Sequence, residues 1–91
     1  MASPARRVRV TGRVQGVFFR AWAQQQAREL GVNGWIRNAS DGSVEAQLEG
    51  DEAAVKALIQ RLNEGPPSAD VENVEVEDAA PEMCDGFHVR H

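Results

Sequence analysis

Gly12-Arg13-Val14-Gln15-Gly16-Val17-Phe18-Phe19-Arg20 separates two segments of different period. Before it, Arg7 to Thr11 alternates, with Val8 and Val10 on one face and Arg7 and Arg9 on the other. After it, residues 20–30 are strong helix formers, with Phe19, Ala23, Ala27 and Leu30 at helical spacing and Gly31 as a stop. The chain therefore reads strand, loop, helix at this point.

Working outward, Val32 to Asn38 reads as a second strand and Ala39-Ser40-Asp41-Gly42 as a turn. Ser43 to Glu49 alternates, which predicts Val44, Ala46 and Leu48 inward and Glu45, Gln47 and Glu49 toward water. A second helix begins at Gly50 or Asp51, with Asp51 and Glu52 suited to its first turn. Val55, Leu58, Ile59 and Leu62 form its apolar stripe, and Gly65-Pro66-Pro67 ends it. Val71 to Glu77 is the fourth strand, with Val74 and Val76 predicted inward and Glu72, Glu75 and Glu77 solvated. Asp78 to Gly86 connects to a short final strand, Phe87 to Arg90.

The order is β-α-β-β-α-β plus a terminal strand. It predicts a ferredoxin-like α+β sandwich: an antiparallel sheet with both helices on one face and the first and third strands central. That fold hosts many functions, so function has to come from particular residues.

The 12–20 stretch offers one such site. A glycine-containing turn entering a helix N-terminus aims several unpaired N–H groups at one spot, where the helix dipole favours negative charge. Gly16 permits a backbone that a side chain would obstruct. A cation at that end is disfavoured by roughly 0.3–1 kcal/mol. An anion between the Arg20 guanidinium and the N–H groups reverses the sign, and Arg matches phosphate bidentately. Without an anion, Arg20 is an ordinary surface residue after a tight turn. Asn38 ends the second strand at the same sheet edge, since the first two strands run parallel. Its amide could hold a water molecule there or simply support the hairpin turn.

At 91 residues the chain is expected to be one domain, 1–91. Its 42% hydrophobic and 26% charged residues are those of a globular protein. Residues 1–37 hold seven Arg against the lone acid Glu29, whereas 38–91 hold three basic and thirteen acidic side chains, giving +6 and −10 and a total of −4. The acidic total argues against nucleic-acid or membrane binding, while the basic third suits a small anion. No apolar run is long enough for a membrane span or signal peptide. The single Cys84 allows no internal disulfide and fits a reducing cytoplasm; it reads as an incidental thiol. His88 and His91 lack ligand spacing, Trp22 and Trp35 read as packing residues, and Asp41 reads as a turn residue. Phe18 and Phe19 are expected to anchor the loop to the core.

Several motifs together resemble the acylphosphatase family: Gly-x-Val-Gln-Gly-Val-x-Phe-Arg at 12–20, Gly34-Trp35-Ile36-Arg37-Asn38, and Asp41-Gly42-Ser43-Val44-Glu45. The likeness runs through Glu49-Gly50, Gly65-Pro66-Pro67 and the Val-rich fourth strand to Phe87–Arg90, covering residues 7–90 without insertions. The resemblance implies hydrolysis of acyl phosphates to a carboxylate and inorganic phosphate, without metal or other cofactor. It further implies that Gln15, Gly16, Val17, Phe18, Phe19 and Arg20 cradle the phosphoryl group through backbone N–H groups and the Arg20 side chain. Asn38 matches the residue that positions the attacking water. Ala39-Ser40 is the least distinctive part of the match and a place for substrate preference to vary.

The expectation is thus a small monomeric cytoplasmic enzyme acting on a small-molecule acyl phosphate. Two rivals come from other classes. One is a non-catalytic anion-binding module, since related domains occur inside larger carbamoyl-transferring proteins; a chain ending after one domain with both key residues present favours the enzyme. The other is a nucleic-acid-binding sandwich, which would show aromatics on an exposed central strand. Here the first strand offers arginines and valines.

Overall fold

The computed structural model describes residues 5–90. Its elements are β1 (Ala5–Arg13), α1 (Phe19–Leu30), β2 (Asn33–Asn38), β3 (Val44–Glu49), α2 (Glu52–Glu64), β4 (Asp70–Asp78) and β5 (Phe87–Arg90). The sheet order is β4-β1-β3-β2-β5. Within the first four strands every pairing is antiparallel, with β1 and β3 inside as expected. β5 adds parallel to β2, placing Gly34 beside Phe87 and Arg37 beside Arg90, so the full sheet is mixed.

Both helices pack their apolar stripes on one face of this sheet. Phe19, Ala23 and Ala27 of α1 and Val55, Leu58 and Leu62 of α2 are buried. They join Val8, Val10, Ile36, Val44, Ala46, Leu48 and Phe87 from the strands in one cluster. Each large side chain so buried contributes about 1.5–3 kcal/mol relative to exposure. The helices end as composition dictates. Gly31 takes a left-handed conformation and returns its N–H to the Ala27 carbonyl. Asp51 caps α2 by accepting from the Ala54 N–H.

The opposite face departs from the alternation. Glu45, Gln47 and Glu49 are buried rather than facing water, Gln47 completely. The connection between β4 and β5 lies across them. Gln47 Nε2 donates to the Ala80 carbonyl at 3.0 Å and to Glu49 Oε2 at 2.9 Å. Glu49 also accepts from the N–H groups of Glu82 (2.6 Å) and Cys84 (3.0 Å). Burial alone would raise the Glu49 carboxyl, but the Glu82 N–H, the Gln47 amide and the Cys84 N–H outweigh it and hold it below its ordinary value.

Glu45 is bonded by three guanidinium groups, those of Arg7, Arg9 and Arg37, at 3.0–3.5 Å. Trp35 lies beside this polar layer, its Nε1 donating to Glu82 and its ring within 6 Å of the Arg7, Arg37 and Arg90 guanidinium carbons. It is a packing residue, as read from sequence. The polar alternation therefore marks a second, hydrogen-bonded layer, because a strap of chain and three arginines take the place of solvent.

Val76 also departs from expectation. It is 44% exposed, whereas Val74 packs against the core. Val76 pairs with Val8 on the outermost strand, whose other edge has no neighbouring strand. The register irregularity between Thr11 and Gly12 lies beyond Val74 and brings Val71 to the core as well.

Candidate functional site

The β1–α1 connection is held at both ends by buried side chains. Val14 and Phe19 are each about 1% exposed, and the Phe19 ring packs against Trp22 with centroids 5.5 Å apart. Between them the backbone turns through two left-handed residues, Gly16 at φ 73° and Phe18 at φ 60°. Glycine adopts that conformation freely; for phenylalanine it costs about 1–2 kcal/mol. Phe18 is the N-terminal flanking residue of α1, and its carbonyl accepts the Trp22 N–H at 3.0 Å.

The two helices differ at this end. α2 has Asp51 as a cap and Glu52 in its first turn. The first turn of α1 has no acidic residue and no side-chain cap. No carboxylate of that first turn complements the helix dipole, and Arg20 adds a cation there.

Arg20 is half-buried, and its Nη1 donates to the main-chain carbonyl of Arg90 at 2.9 Å. The last strand thus orients the guanidinium. Val17 is tied from another side, its carbonyl accepting from Ser68 Oγ at 2.9 Å.

Asn38 ends β2 opposite Val44 and is exposed. The turn that follows is fixed by its own hydrogen bonds. Ala39 N–H donates to the Ser43 carbonyl at 2.8 Å, and Asp41 Oδ1 accepts from both the Ser43 hydroxyl and N–H. These two bonds from Ser43, with Arg9 nearby, hold the Asp41 carboxyl below its ordinary value. Asp41 is a turn residue, as its sequence context suggests.

These pieces meet in a cleft of about 340 Å³ lined by Val14, Gly16, Phe18, Phe19, Arg20, Ala21, Asn38 and Val89. Of the residues singled out from sequence, Gly16, Phe18, Phe19, Arg20 and Asn38 are brought together. Gln15 and Val17 are not on its wall. Gln15 fastens instead: its Nε2 donates to the carbonyls of Ala39 and Ser43, both at 2.8 Å, clipping the loop to the β2–β3 turn. Phe18 contradicts the expectation that it anchors the loop, since its side chain is 86% exposed. Its left-handed backbone turns the ring outward while Phe19 alone enters the core. Sequence reasoning missed Val89, Arg90 and Ser68, because nothing local marks a strand end that supports a site seventy residues away.

Elsewhere, Cys84 is half-buried and its thiol is pushed up, first by burial and then by Glu49 and Glu82. That is the opposite of activation. His88 is exposed on β5, and His91 lies outside the described residues. Among the described residues no helix is long and apolar enough to cross a membrane.

Fold and cleft together define a small α/β-sandwich protein whose cationic cleft opens at the ends of parallel-running strands. A profile of the acylphosphatase family matches residues 6–89. An acylphosphatase from Haloarcula marismortui is 50% identical over 90 residues, 99% of each chain. The solved structure of an acylphosphatase from Coxiella burnetii superposes with a TM-score of 0.92 at 40% identity, covering 98% of this chain and 94% of that one. An acylphosphatase from Bacillus subtilis gives a TM-score of 0.93 at 32% identity, covering 97% and 99%. The chain belongs to the acylphosphatase family.

Proposed function

We propose that the protein hydrolyses acyl phosphates, the mixed anhydrides of a carboxylic and a phosphoric acid, in the cleft between the β1–α1 loop and the end of β2. The observation that carries this reading is the meeting of Arg20 and Asn38, from different elements, on one wall with the N-terminus of α1. The backbone N–H groups of residues 15–20 and the Arg20 guanidinium hold the phosphoryl oxygens, and Asn38 orients a water molecule.

Water attacks phosphorus, the bond from phosphorus to the acyl oxygen breaks, and the electron pair leaves on a carboxylate. A carboxylate is a stable leaving group, so little acid catalysis is needed on departure. Rate enhancement then comes from positioning and from stabilising charge on the equatorial oxygens. A fixed guanidinium and oriented N–H groups supply both without a metal. A phosphoryl oxygen of the substrate takes the water's proton. Residues 1–91 act as one domain and as a monomer; the single cysteine supports a reducing cytoplasm.

The test is hydrolysis of benzoyl phosphate in EDTA, with para-nitrophenyl phosphate for comparison. Fast cleavage of the first and little of the second is expected. Phosphate binding with cleavage of neither would make the protein an anion-binding module on the same fold.

A further inference from the structure

Resting on that function, we infer that Phe18 is a specificity residue: its exposed ring forms an apolar platform for the acyl group, giving the enzyme a preference for aromatic and bulky apolar acyl phosphates. The first support is the shape and chemistry of the cleft. Its volume of about 340 Å³ falls within the range of about 300–1,000 Å³ typical of small-ligand sites. A phosphoryl group, with the bulk of a few water molecules of about 30 Å³ each, leaves much of that space unfilled. The wall beyond Arg20 and Asn38 is almost wholly apolar: Val14, Phe18, Phe19, Ala21 and Val89. A substrate anchored by its phosphate at the cationic end would direct its other half along these side chains.

The second support is Phe18 itself. A ring 86% exposed contributes almost nothing to the core. Its residue nevertheless occupies a left-handed backbone conformation disfavoured for phenylalanine. Strained, non-glycine positions of this kind cluster at ligand sites, where the geometry serves binding. Here Phe18 lines the cleft and stays exposed while Phe19 enters the core. An aromatic ring so placed offers a face or edge to an aromatic acyl group.

The experiment compares wild type, Phe18→Asn and Phe18→Leu on benzoyl phosphate and acetyl phosphate. Asparagine tolerates the left-handed backbone, and leucine retains apolar area. The quantity to read is the ratio of kcat/KM for benzoyl over acetyl phosphate, in which any common disturbance of the phosphate cradle cancels. Phe18→Asn should lower this ratio about five- to tenfold, the worth of one aromatic contact, and Phe18→Leu should recover part of the loss. A ratio unchanged in Phe18→Asn would overturn the platform while leaving the proposed function intact. Wild type inactive on both substrates would instead sink that function and the platform with it.

Discussion

The side-chain amide of Gln15 donates to the main-chain carbonyl of Ala39 at 2.8 Å, and the same nitrogen reaches Ser43. This joins the loop that carries Arg20 to the turn that follows Asn38. The cleft therefore has its two key side chains on segments clipped together, although 24 residues separate the bonded pair. Displacing a reacting group by about 1 Å can cost 10²-fold in rate. Gln15→Ala is expected to lower kcat by roughly 10- to 100-fold with a smaller effect on phosphate affinity. Steady-state kinetics beside a phosphate titration would show it; an unaltered kcat would mean that the turn holds its place without the clip.

Asn38 makes no side-chain hydrogen bond to another described residue, which leaves its amide available to water. Asn38→Ala is expected to reduce kcat by about 10²-fold or more, the usual size for loss of one placed polar contact, with phosphate affinity largely retained. If the rate were unchanged, Asn38 would be a turn residue only.

The two adjacent phenylalanines should behave oppositely in unfolding experiments. Phe19 is buried against Trp22, so Phe19→Ala is expected to cost about 3–5 kcal/mol. Phe18→Ala, on the surface, should change stability by no more than about 0.5 kcal/mol. Urea denaturation of the two variants makes the comparison.

Much of this architecture is legible in sequence because periodicity reports burial. Val8 and Val10, the stripe Val55-Leu58-Leu62, and the breaks at Gly31 and Gly65-Pro66-Pro67 each lie where the pattern puts them. Period-two alternation tells which residues share a face, but not what covers that face. Glu45, Gln47 and Glu49 share a face as read, and a distant strap with Arg7, Arg9 and Arg37 then buries it. For the site, the loop and both polar residues could be named from motifs. The fastening by Gln15 and the support of Arg20 by the Arg90 carbonyl could not, since both depend on contacts distant in sequence. The exposure of Phe18 is not legible either, because a left-handed backbone is invisible in residue type.

Glu49 gives the fold a pH dependence whose sign follows from the hydrogen bonds to its carboxylate. Its carboxyl is held below the ordinary value of 4.5, so its stabilisation is present above that pH and is lost as pH falls below it. Glu49→Gln leaves the N–H groups of Glu82 and Cys84 without a charged acceptor and is expected to cost about 1–3 kcal/mol at neutral pH. The difference between wild type and variant should shrink as pH is lowered through the acid range. A difference independent of pH would show that charge is not what pins the strap.

Phosphate binding by Arg20→Ala, measured by calorimetric titration together with benzoyl phosphate turnover, decides whether this cleft holds the phosphoryl group. A large loss of phosphate affinity is expected, with a fall in kcat/KM of about 10²–10³-fold or more and an unfolding curve close to wild type. Undiminished phosphate affinity in a folded Arg20→Ala protein would contradict it, and the phosphoryl group would then have to bind elsewhere than in this cleft.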